Sequence, residues 1–139
     1  MAITNAWNTA ILYGYIAAGS VFGGVARYLL SLLIQLIPGF PWATLFVNVT
    51  GSFIIGFYST LSGPDGRLFA SPRQRQFVMT GFCGGYTTFS TFSLETFRLL
   101  EGGMAQTAFL NIAVSIVTWL VAVWLGHALA SRLNRLKGS

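Results

Sequence analysis

One stretch of this chain concentrates its unusual chemistry. Thr80-Gly81-Phe82-Cys83-Gly84-Gly85-Tyr86-Thr87-Thr88-Phe89-Ser90-Thr91-Phe92-Ser93 mixes glycines, hydroxyls and phenyl rings within an otherwise apolar segment. Glycine, serine and threonine are weak helix formers. A helix that breaks here frees backbone carbonyls and amides. In lipid such groups are tolerated only where protein, water or an ion satisfies them. Broken helices within membranes are one way to build an ion site. A continuous helix, with glycines that let a neighbour approach, is the other reading of the same residues. Phe89 and Phe92 are three apart and flank Ser90 and Thr91, so they share a face of any helix that follows the break. An aromatic ring has a positive edge. A desolvated anion can approach such edges while hydroxyl and amide donors complete its shell. Packing or lipid contact is the ordinary use of two phenylalanines.

Three further segments carry polar side chains at helical spacing. They are Thr44, Asn48 and Ser52; Asn111, Ser115 and Thr118; and Gly23, Arg27, Ser31 and Gln35. Each set lies on one helical face. Hydrogen bonds between helices explain any one stripe. Three together favour a hydrated path. Glu95 is the sole acid inside an apolar segment and has no carboxylate partner, and His127, the one histidine, lies near the end of the last. A proton relay in a membrane needs more than that. No phosphate-binding loop, Ser/His/Asp set or metal-ligand cluster is visible, so an enzyme or a nucleotide-driven pump is not expected. Arg27 either snorkels to the interface or faces the bundle and attracts anions.

The elements that must hold these residues are apolar and long. The 139 residues are 54% hydrophobic and 8% charged, against about 25% charged in an average globular protein. Eight Lys/Arg and three Asp/Glu cannot cover a water-facing surface. A bilayer removes the need. Four apolar segments run over about 11–37, 43–61, 76–100 and 105–130, and each is near or above the roughly 20 residues that span a bilayer as a helix. Pro38-Gly39-Phe40-Pro41, Ser62-Gly63-Pro64-Asp65-Gly66 and Glu101-Gly102-Gly103 break the chain between them. The expected architecture is all-α, a single transmembrane domain of four spans over residues 1–139, with the third helix broken near the membrane midplane.

Arg67, Arg73, Arg75, Arg132, Arg135 and Lys137 would fall on one side, with Arg98 on the other. The positive-inside rule then puts both termini in the cytoplasm. A net charge of +5 arranged this way is a membrane flank. It is not a nucleic-acid groove, which would interleave aromatics. Cys83 is the one cysteine, which rules out an intrachain disulfide and reads as a small packing residue. The first segment is too long for a signal-peptide core and lacks a basic stretch before it, so it is expected to remain as a span. Four helices of small residues surround a pore poorly alone, and a dimer is the economical arrangement.

These residues resemble the signature of the small bacterial fluoride channels, the Fluc or CrcB family. The likeness rests on Gly81 to Ser93, on Gly23-Gly24-Val25-Ala26-Arg27-Tyr28, and on Thr44-Leu45-Phe46-Val47-Asn48-Val49-Thr50-Gly51. It extends over nearly the whole chain. The resemblance implies a dual-topology homodimer in the cell inner membrane, with two antiparallel subunits and two fluoride pores. It implies a structural sodium ion at the dimer centre, held by the backbone carbonyls of Gly84 and Thr87. It implies Phe89 and Phe92 as pore lining and Asn48 and Thr91 as donors. Thr44, Ser115, Glu95 and Arg27 follow less directly. Tyr86 stands where the family often has an aliphatic residue.

Two other classes compete. A small proton-coupled multidrug transporter also has four spans and pairs, but it relies on an acid in the first span, where this chain has Arg27. A non-transporting scaffold subunit would need neither the third-segment motif nor the polar stripes.

Overall fold

The computed structural model describes residues 2–34, 39–64 and 66–135. The expectations for Gln35, Ile37, Pro38, Asp65 and Lys137 fall outside them. Among the described residues every regular element is helical.

Helix α1 spans Ala2–Ile34. It starts well before Ile11, the expected boundary. Alanines favour the helix, and Thr9 bonds its hydroxyl back to the Asn5 carbonyl at 2.8 Å without leaving it. Helix α2, Trp42–Leu61, follows Pro41 and stops at Ser62, whose hydroxyl donates to the Tyr58 carbonyl at 2.7 Å. A five-residue helix, α3, covers Pro72–Gln76. It opens on a capping box. The Gln74 amide donates to the Ser71 hydroxyl at 3.3 Å, the Ser71 amide donates to the Gln74 side chain at 2.9 Å, and Pro72 sits at the first turn.

The third apolar segment is not one α-helix. It runs on as a π-helical stretch, Phe77–Cys83, then a single turn, α4, Gly84–Tyr86. Thr87 and Thr88 are extended, with ψ of 159° and 119°. Helix α5 resumes over Phe89–Glu101, and α6 covers Ala105–Arg135. Gly103, at φ 73°, makes the tight turn between them in the left-handed region.

Small residues set the packing. Helix α1 lies against the π stretch and α4, while α2 lies against α6. A Cβ at Gly23 would collide with the Phe82 carbonyl, and one at Gly85 with the Ser20 carbonyl. On the other pair, a Cβ at Gly56 would meet the Val123 carbonyl. Backbones approach this closely where small residues recur every four positions, as membrane helices do.

One end of the bundle gathers the start of α1, the α2–α3 loop and the end of α6. Arg73 donates to Asn8 at 3.2 Å, the Arg67 amide to Asn134 at 2.9 Å, and Asn134 to the Thr60 carbonyl at 3.0 Å. The chain therefore traverses the bundle four times. Helix α1 from Asn5, α2 and α6 are each long and apolar enough to cross a membrane. The third traverse is made in pieces, none long enough alone. Large apolar side chains such as Phe22, Leu33, Leu120 and Trp124 point outward. Lipid is the solvent such a surface suits. The molecule is a multi-pass helical membrane protein.

Candidate anion site at the broken helix

The break is held by a side chain that substitutes for a backbone partner. The Thr88 amide donates to Asn48 Oδ1 at 2.7 Å, and Asn48 Nδ2 donates to the Thr88 carbonyl at 2.8 Å. Asn48 is 5% exposed and spends one of its two amide hydrogens here. The other makes no hydrogen bond among the described residues. Thr88 also caps α5. Its hydroxyl accepts from the Thr91 amide at 3.1 Å and donates to the Thr91 hydroxyl at 2.9 Å. The Thr91 hydroxyl thus keeps its own hydrogen. On the near side of the break, the Thr87 amide and hydroxyl both bond the Cys83 carbonyl, at 2.9 and 2.8 Å. Tyr86 is buried, stacks on Phe82 at 5.6 Å and hydrogen-bonds Thr50 on α2 at 2.8 Å.

Phe89 and Phe92 touch, with ring centroids 5.6 Å apart and planes tilted by 47°. They occupy different surroundings. Phe92 is 7% exposed and meets Trp119 of α6 edge-on at 5.0 Å, whereas Phe89 is 70% exposed. Phe89, Asn48, Thr87 and Gly84 line one open cleft.

The charged and hydroxyl candidates extend the polar set toward the α5–α6 turn. Thr44 donates to Glu95 Oε1 at 2.9 Å, while the buried Glu95 Oε2 has no hydrogen-bond partner among the described residues. Asn111 donates to Thr96 at 2.9 Å, and Ser115 donates to Asn111 at 3.4 Å. That stripe is in part glue between α5 and α6. Thr118 bonds the Val114 and Ser115 carbonyls of its own helix and leaves the stripe. Arg27 reaches across to the broken helix. It is half-buried and donates to the Thr87 carbonyl at 3.3 Å.

The carbonyls of Gly84 and Thr87 bear on the sodium ion that the resemblance implies. Because the Thr88 amide turns to Asn48, the Gly84 carbonyl loses its partner four residues on. Gly84 is exposed, and a Cβ built on it would meet nothing beyond its own helix turn among the described residues. The Thr87 carbonyl retains a second lone pair beside its bond from Arg27. Neutral carbonyl oxygens suit a hard cation. The donor type fits, and one chain supplies only part of a shell.

Several residues of this site carry no signal of their own in the sequence. Thr96 became visible only as the partner of Asn111, and Trp119 only as the neighbour of Phe92. Thr88 had a weak signal, since a threonine before a helix is a common cap.

The fold and the site together define a class: a multi-pass helical membrane protein whose neutral donors and phenyl rings gather where one helix unwinds. Residues 14–127 match the family described as CrcB-like protein, Camphor Resistance (CrcB). The chain belongs to that family. It is 65% identical over 133 residues to "Fluoride-specific ion channel FluC 1" of Bradyrhizobium diazoefficiens, covering 96% of this chain and 94% of that one. It is 66% identical over 141 residues to "Fluoride-specific ion channel FluC 1" of Rhodopseudomonas palustris, covering 100% of both. A protein of Opitutus terrae named "Fluoride-specific ion channel FluC" is 55% identical over 130 residues.

Proposed function

We propose that this protein is a passive, fluoride-selective ion channel of the bacterial inner membrane. The observation that carries the reading is the Asn48–Thr88 clasp. It holds a helix open where neutral donors and two touching phenyl rings follow one another along the chain. A small, strongly hydrated anion needs a replacement for its water shell, and neutral N–H and O–H groups supply one without trapping the ion as a fixed cation would. The relatives named as fluoride-specific channels, similar over essentially the full chain, support the choice of halide. In this reading Asn48 and Thr91 donate to fluoride. Phe89 and Phe92 present ring edges, and Thr44, Glu95 and Ser115 continue the path. Arg27 supports the break.

The working form is a homodimer with two pores; its subunits are antiparallel and of dual topology, as the family resemblance implies, so half of the chains insert against the Lys/Arg bias that by itself puts both termini in the cytoplasm. The open cleft of Asn48, Gly84 and Thr87 favours a dimer, because polar backbone facing lipid is costly. A second copy covers it, and the Gly84 and Thr87 carbonyls of both copies would hold a sodium ion at the centre. Bound there, the ion would tie the two subunits together electrostatically. Inside-negative potential would drive fluoride outward, at about 2.3 kcal/mol per charge per 100 mV.

The test is a liposome efflux assay on purified protein, with fluoride and chloride side by side. Rapid fluoride efflux with chloride retained is the expected result. Equal leakage of both, or of neither, defeats the reading.

A further inference from the structure

Two buried side-chain atoms lack a hydrogen-bond partner among the described residues: Glu95 Oε2 and Trp119 Nε1. Buried polar groups are almost always paired in folded proteins, so each orphan calls for a reason. An indole N–H is a donor only, with no acceptor capacity to confuse its role. Trp119 stands four residues after Ser115, which stands four after Asn111, so the three share one face of α6. Its ring meets Phe92, and its side chain lines the same cleft as Asn48, Thr88 and Phe89. The α6 stripe is therefore continued by Trp119, whereas Thr118 bonds its own helix.

We infer that the Trp119 indole N–H is a further donor to the permeating halide, placed on α6 across from Phe92. The inference rests on the fluoride-channel reading and deepens it. The partner a lone buried donor lacks is an acceptor. A bare anion in the cleft of Asn48, Thr88 and Phe89 is one, and once a second copy covers that cleft each such bond counts heavily. The contact with Phe92 supplies no oxygen and leaves the N–H without a strong acceptor. Trp119 then sets specificity along with rate, because a small ion gains more from one close N–H than a large one does.

Two measurements test this on the full-length chain. In vesicles, Trp119→Phe keeps an aromatic ring against Phe92 and removes only the donor. Fluoride flux is expected to fall roughly tenfold or more, the scale of one hydrogen bond to a charged group. Equal flux in variant and wild type overturns the assignment of Trp119 and leaves the channel reading standing. A wild-type protein that moves no fluoride defeats the channel reading itself. The second measurement does not need the variant to fold. The chain has four tryptophans, and with indole-15N labelling the Trp119 resonance is assigned by replacing Trp7, Trp42 and Trp124, all exposed. Its indole proton is expected to shift downfield on titration with sodium fluoride and to stay in place with sodium chloride. A resonance blind to fluoride overturns the inference, even if Trp119→Phe conducts poorly, because the residue would then act only through packing.

Discussion

At the scale of single residues, Asn48 joins structure and conduction in one side chain. Its carbonyl and amide both bond the Thr88 peptide, so removing it leaves two buried backbone groups unpaired. Asn48→Ala is expected to destabilise the protein by roughly 2–6 kcal/mol, at about 1–3 for each orphaned group. Asn48→Asp retains the acceptor for the Thr88 amide and, as the neutral acid, one O–H that the Thr88 carbonyl takes, so no donor is left for an anion. It is expected to fold better than the alanine variant yet conduct no fluoride, as read by thermal unfolding in detergent and by efflux. Conduction near wild type in the aspartate variant would make the side chain purely structural. The two phenylalanines separate in the opposite way. Phe92 is buried against Trp119, and Phe89 is exposed beside the cleft. Replacing either by isoleucine removes a ring edge and is expected to cut flux several-fold. Phe92→Ile should lower the melting temperature more, since it loses the contact with Trp119 as well as the one the two phenylalanines share, each worth about 0.5–1.5 kcal/mol.

At the scale of elements, the break depends on its neighbours more than on its own sequence. The π stretch and α4 are pressed against α1 by Gly19, Gly23, Gly81 and Gly85. A side chain at Gly23 meets backbone, which cannot swing aside. Gly23→Val is expected to cost at least the 1–3 kcal/mol typical of overpacking. It should also pull Arg27 off the Thr87 carbonyl. Loss of folded protein on size-exclusion chromatography checks this, and a well-folded, active valine variant contradicts it. Polar stripes were legible in the sequence because helical spacing is a local property. Whether a stripe lines a path or ties two helices was not, because that depends on what packs opposite. Asn111 turned out to bond Thr96, a residue with no signal of its own.

At the scale of the whole molecule, Gly84 provides the contrast with Gly23. Among the described residues, nothing beyond its own helix turn and chain neighbours stands within 4 Å of a Cβ there. Gly84→Ala is expected to leave the subunit folded and to weaken the proposed dimer, because the added methyl would lie between the two copies. Purification with a bulky organic cation in place of sodium is expected to do the same, read as a shift from dimer to monomer in both cases. A dimer indifferent to both changes removes the central ion from the account and leaves the pore residues untouched.

Composition and spacing alone determined the membrane environment, the four traverses and the weak point of the third. These follow from hydropathy and helix propensity, which act over a few turns of one chain. The tertiary structure decided how the weak point is used. It set the interruption at Thr87 and Thr88, gave Asn48 the role of a backbone partner, turned Arg27 inward and brought Trp119 onto Phe92. Those outcomes join residues far apart in the chain. Long-range packing between helices selects them, and no local pattern encodes it.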